Sequence, residues 1–155
     1  SVNAGKVLGV AETKFFNFES VASDESCREA TTKLTEVAAA FDPEEIYTLH
    51  PELDRHASHR AAGAICVDAL KQISDHNIKL WAYEVWGLFA KWDRFEDITD
   101  HIEKKLAAVA EHRSQIAAVP YGDGIVGLNR WRAVFADPHQ SAVQAQYAEV
   151  FIKLN

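Results

Sequence analysis

The chain predicts an α/β protein built on a Rossmann-like, mostly parallel sheet flanked by helices. Short β-rich runs, "EIYTLH" (45–50) and "IKLWAYEVW" (78–86), alternate with apolar patterns that recur every three or four residues over more than ten positions. Strands separated by helices of that length imply βαβ units and parallel pairing. The 155 residues suffice for one domain that buries a real core without staples.

Taken in order, residues 1–8 read as the tail of a helix closed by Gly9, and "KFFNF" (14–18) as a short apolar strand. From Ser26 to Phe41 the apolar positions Cys27, Ala30, Leu34, Val37 and Phe41 mark an amphipathic helix that Asp42-Pro43 stops. Strand 45–50 follows. Ser58 to Ser74 is a second helix, with Ala62, Ile65, Ala69 and Ile73 on one face and Ser58 as N-cap. Residues 78–86 are the longest strand candidate, and a loop rich in aromatic residues comes after it. "DITDHIEKKLAAVAEHRSQIAAV" (97–119) predicts one long helix on Ile98, Ile102, Leu106, Val109 and Ile116, capped by Asp97 or Thr99 and ended before Pro120. A short helix over 125–135 and a strand at "AEVFIKL" (148–154) close the chain. Because the chain opens on half a helix, an upstream strand–helix unit is expected to belong to the same sheet.

Composition narrows the partners. A net charge of −7 argues against nucleic acid or an anionic membrane reached through a basic face. No run of about 18 apolar residues exists, so no membrane span is expected. The opening "SVNAGKVLGV" lacks the regions of a signal peptide. Cys27 and Cys66 fall on apolar helical positions and read as buried free thiols of a cytoplasmic protein.

"LHPELDRHASHRAAGA" (49–64) is the chemically dense stretch, with His50, Glu52, Asp54, His56 and His59 at a strand-to-helix junction. In parallel sheets, ligands bind outside the carboxyl ends of the strands. His56 and His59 are three apart and share a face if both lie in the first helical turn. A hydrolytic zinc site needs three protein ligands and one open position; His50, Glu52 or Asp54 would have to complete the set. The alternative is an ordinary polar loop rich in histidine. There is no His-Glu-x-x-His, no Cys-x-x-Cys, no Gly-x-Ser-x-Gly elbow and no phosphate loop.

"IYTLHPELDRHASHRAAGAICVDAL" closely resembles the second signature of the LmbE-like, or PIG-L, family of zinc-dependent de-N-acetylases, a His-x-Asp-His motif before a helix opening on "RAAG". "GKVLGV", "KFFNF", "YEVW", "DITDHIEKKLAAVAEHRSQ", "GLNRWRA" and "YAEVF" match further segments in order, so the resemblance spans the chain. It implies an LmbE-like fold and a zinc-dependent amide hydrolase of the N-acetylglucosamine de-N-acetylase type. His59 takes the place of a zinc ligand. His56 takes that of the histidine at the oxyanion or leaving group. An N-acetylated amino sugar or conjugate is the implied substrate. Tyr83 and Trp86 stand where they stack on a sugar face or, alternatively, pack in the core.

Two departures stand out. Ser58 occupies the family's aspartate position, so the carboxylate that would orient the histidine is missing there; Ser58 can still cap the helix, and Asp54 reaching inward in its place is not the expectation. The family's first signature, Ala-His-Pro-Asp-Asp, has no counterpart in place; "HPELD" (50–54) lies on the wrong strand and reads as the loop before His56. The expectation is a single LmbE-like domain over 1–155 forming the C-terminal two-thirds of the family domain, with half the active site. Zinc is expected in the complete domain and weak or absent in this chain. A second expectation, of a different class, is a catalytically silent module that self-associates through an exposed sheet edge.

Overall fold

In a computed structural model of the chain, residues 2–21, 23–73, 77–135 and 145–155 are described. They form two compact units, one of residues 16–94 and 150–155, the other of residues up to 15 and 95–149.

The first unit holds α2 (Asp24–Phe41), β1 (Glu45–Leu49), α3 (Ala57–Gln72) and β2 (Lys79–Tyr83). The hydroxyl of Ser23 accepts the Ser26 N–H and caps α2, and Asp42 ends it in the left-handed region at φ 51°. β1 and β2 pair in parallel, with Glu45 opposite Lys79 and Leu49 opposite Tyr83. Helix α3 connects them and packs on β1, and α2 packs on α3. Leu80 and Ala82 of β2, Ile65 and Ala69 of α3, and Val150 are buried. This is the predicted βαβ unit, and it sends both strand ends out at one edge.

The second unit contains α1 (Val2–Leu8), most of β3 (Arg94–Asp97), α4 (Ile102–Ala110), α5 (Arg113–Ile116), α6 (Tyr121–Phe135) and the start of β4 (Ala148–Lys153). Helix α1 closes on Gly9 at φ 84°, where the N–H groups of Gly9 and Val10 bond to Lys6 and Gly5. Helix α4 packs against α1 and α6. Buried Asn129 donates to the Ala148 carbonyl and accepts from Lys105, which also pairs with Glu149.

Strand order is β1-β2-β4-β3. The α/β class holds, but the sheet is mixed: β4 runs antiparallel to β2, with Tyr83 opposite Phe151. The helix-alternation rule covers strands joined by one helix, whereas β2 reaches β4 through β3, α4, α5 and α6. Four local expectations are corrected. Residues 14–18 form no strand, because Asn17 at φ 54° breaks the extended run and Phe18 lies under Lys33 instead. The helix over 97–119 is three pieces. Asp97 belongs to β3, its carboxylate holding Thr99, and a 3₁₀ turn at Thr99–His101 precedes α4. His112 is non-helical, and α5 beyond it buries no residue. Helix α6 starts at Tyr121 rather than 125, directly after Pro120. Helix α3 is capped by His56 rather than Ser58, while Ser74 lies outside the described residues.

Candidate hydrolytic site

Parallel β1 and β2 deliver two loops, 50–56 and 84–90, at their carboxyl ends, and α3 starts from the first. Asp54 is the buried residue of the first loop, 4% exposed. Its Oδ1 accepts the His56 N–H at 2.9 Å, an Asx turn that leads into α3. The same oxygen lies 3.2 Å from His59 Nδ1, an ion-pair distance without the alignment of a regular hydrogen bond. Its Oδ2 accepts from the Trp86 N–H at 3.4 Å. Burial raises the Asp54 pKa, but the His56 N–H, His59 and the Trp86 N–H outweigh it and hold the carboxyl below its ordinary range.

The "RAAG" residues build this junction. Arg60 donates to the carbonyls of Asp54 at 2.8 Å and Arg55 at 3.0 Å, clasping the loop onto the helix. Gly63 lets α3 cross the end of β1: a Cβ there would stand 2.2 Å from the Leu49 carbonyl oxygen. Gly87 does the same for the second loop, where a Cβ would stand 2.1 Å from the Leu53 carbonyl oxygen.

His56 and His59 share a face, as their spacing predicts, with ring centroids 5.3 Å apart. The Trp86 ring meets His56 edge-on at 5.0 Å and is 37% exposed. Tyr83 ends β2 and is half-buried, and burial pushes its phenol up. The structure therefore groups His56, His59, Asp54 and Trp86, with Tyr83 on the strand behind. Ser58 is exposed and takes no part in the group. Burial also raises the Cys66 thiol, which makes it a weak nucleophile.

His50 does not join them. Its Nδ1 accepts the N–H groups of Glu52 and Leu53, both at 3.1 Å, so the neutral ring carries its proton on Nε2 and offers no lone pair there. Glu52 is exposed, and Asp54 is committed to backbone and His59. Among the described residues, no three His, Cys, Asp or Glu side chains converge as a metal site. The side chains of the described residues therefore do not amount to a zinc site.

His50 carries a pH prediction. Burial, against a smaller opposing pull from Glu52, holds its pKa below the ordinary 6.5. A depressed folded pKa means stability that is present above about 6.5 and lost as pH falls through the folded value. Protonation would also set an N–H against two N–H donors. Denaturant unfolding at several pH values below 7 should show wild type losing stability, and His50→Asn losing less. Parallel profiles for the two proteins would refute this.

No family model and no curated protein sequence matches the chain. Its fold matches solved structures over nearly its whole length, among them these three. The conserved protein TT1542 from Thermus thermophilus is 20% identical at TM-score 0.76, covering 99% of this chain and 70% of that one. GalB, the 4-carboxy-2-hydroxymuconate hydratase from Pseudomonas putida, is 20% identical at 0.76, covering 99% and 69%. N,N'-diacetylchitobiose deacetylase from Pyrococcus horikoshii is 19% identical at 0.75, covering 98% and 60%. The chain has the LmbE-like fold its sequence resembles. A hydratase and a deacetylase share that fold, so the reaction has to be argued from the site.

Proposed function

We propose that this chain carries the histidine half of a metal-dependent amide hydrolase of the N-acetylglucosamine de-N-acetylase type, acting on an N-acetylated amino sugar or its conjugate. The carrying observation is the pair His56 and His59 on one face at the carboxyl end of β1, with the Asp54 carboxylate behind them. His59 is the zinc ligand this chain supplies. A hydrolytic zinc needs three protein ligands, so the others lie outside the described residues. His56 caps α3 with its backbone, and its ring makes no cap bond. That leaves the ring to donate to the oxygen that gains charge when an N-acetyl carbonyl is attacked, and to protonate the departing amine. The positive end of α3 favours the same charge. Trp86, and Tyr83 behind it, form the sugar-facing rim. The chain is one LmbE-like domain, part of the full family domain, in a cytoplasmic setting that suits its free thiols.

A second reading rests on the missing donor set: a catalytically silent LmbE-like module that self-associates through the outer edge of β1, an end strand of the sheet. Two measurements separate the readings. The 155-residue polypeptide, loaded with zinc and dialysed, should keep well under one equivalent and release no acetate from an N-acetylglucosaminide. Combined with a polypeptide that supplies the other ligands, it should retain zinc and release acetate. Retained zinc without acetate release would favour the silent module. Stoichiometric zinc on this polypeptide alone, lost on His59→Ala, would overturn the half-site.

A further inference from the structure

We infer that His50 is a positioning residue of the candidate site, a latch that ties loop 84–90 to loop 50–56 and so holds Trp86 against His56. Its ring meets both loops. Nδ1 accepts the N–H groups of Glu52 and Leu53, each at 3.1 Å, which closes its own loop as a turn. The same ring meets Phe89 edge-on, with centroids 5.7 Å apart and planes at 62°. Phe89 is 3% exposed, and its N–H donates to the Glu84 carboxylate at the start of the second loop. One imidazole thereby joins two loops, each of which is closed on itself.

The loops meet where the latch predicts. Gly87 comes so close to Leu53 that a Cβ would stand 2.1 Å from the Leu53 carbonyl oxygen. The N–H of the preceding Trp86 donates to Asp54 Oδ2 at 3.4 Å. Together these contacts bring the Trp86 ring to His56, with centroids 5.0 Å apart. The Nδ1 lone pair of His50 is occupied by backbone, so the ring acts on the site through the two loops that it joins. On the function proposed above, Trp86 lies on the substrate-facing rim, and the latch sets that rim against the histidine face.

The bland alternative is a histidine that only closes its own turn, which would leave loop 84–90 indifferent to its ring. Backbone amide exchange of the 155-residue chain separates the two, with Ala69 in α3 and Leu80 in β2 as buried references. His50→Asn keeps a side-chain acceptor for the turn and removes the ring. Its Glu52 and Leu53 amides should exchange as in wild type, while those of Trp86 and Phe89 exchange faster by up to about tenfold, the factor one hydrogen bond supports. His50→Phe keeps a ring for Phe89 and removes the acceptor, so the Glu52 and Leu53 amides should accelerate instead. Trp86 and Phe89 amides left at the wild-type rate in His50→Asn would overturn the latch. So would Ala69 and Leu80 amides that accelerate as much as the loops, because that marks general destabilisation. Should a variant fail to fold, wild type still decides: the absence of a nuclear Overhauser contact between the His50 and Phe89 rings would overturn the proposal. In the zinc-loaded, active assembly the loss in His50→Asn should fall on KM rather than kcat, and a loss confined to kcat would overturn the substrate-facing part of the role. The exchange measurement uses neither substrate nor metal, so its failure and a failure of deacetylation are told apart.

Discussion

Gly63→Ala is expected to cost about 3 kcal/mol of stability, the upper end of ordinary overpacking, despite placing alanine in a helix interior. Propensity alone predicts the opposite sign, a gain of up to about 1 kcal/mol from Gly to Ala. The deciding fact is what the new methyl would meet: the Leu49 carbonyl oxygen at 2.2 Å and the Pro51 nitrogen at 2.9 Å. Both are backbone atoms, so no side chain can swing away. Either α3 lifts from β1 or the end of β1 moves, and both displace the loop that carries Asp54. For a chain of this length about 3 kcal/mol lowers the melting temperature by roughly 6–12 °C. Gly127→Ala is the internal control. It lies within α6 with nothing within 4 Å of its added Cβ, so there propensity should win and stability should rise slightly. Thermal unfolding of both variants checks the pair; equal shifts would mean that the contact at Gly63 relaxes at little cost.

The same residues show why some of the molecule is legible in its sequence. β1, α3 and β2 announce themselves because the strands are short β-rich runs, with Leu80, Trp81 and Ala82 of β2 all buried, and the helix between them repeats its apolar residues every three to four positions. "RAAG" carries physical content that can be read locally: a donor to clasp the preceding loop, then a glycine where helix crosses strand. Other features depend on partners far along the chain. β3 is four residues long, and the Ile98 N–H that continues it bonds to the Tyr147 carbonyl, so nothing within "RFED" announces a strand. Asp97 and Thr99 were legible as a cap, but not the hydrogen bonds from Gln146 and Tyr147 to Thr99 that make the turn sharp and shorten the helix. The expected strand 14–18 has the composition of a strand but makes no strand pairing among the described residues.

The candidate site divides in the same way. His56 and His59 follow from spacing three at a strand-to-helix junction, which a sequence shows directly. The burial of Asp54 does not, because it depends on the Trp86 N–H, 32 residues away. Composition favoured five potential ligands in a row, and local geometry removed His50 by turning its Nδ1 back onto its own loop. Ser58 is exposed and stands apart from the group, while the buried Asp54 carboxylate lies 3.2 Å from His59 Nδ1.

In the zinc-loaded, active assembly, His59→Ala and His56→Ala should therefore fail in different ways. On the function proposed above, His59, whose Nδ1 lies 3.2 Å from the buried Asp54 carboxylate, is the ligand this chain gives to a metal. Removing it should take the zinc equivalent with it and abolish turnover. His56 has no such carboxylate on its ring; it faces Trp86 at 5.0 Å and is exposed. Losing a single donor to a developing oxyanion costs about 10²–10³ in kcat. His56→Ala should therefore keep its zinc and slow turnover by that factor, with KM little changed because the contact strengthens only in the transition state. Zinc content by atomic absorption beside kcat and KM reads both outcomes. Equal zinc loss from the two variants would make both histidines ligands and remove the oxyanion role. Zinc kept in His59→Ala would move the metal away from α3, because no other imidazole on that helix is held by a buried carboxylate.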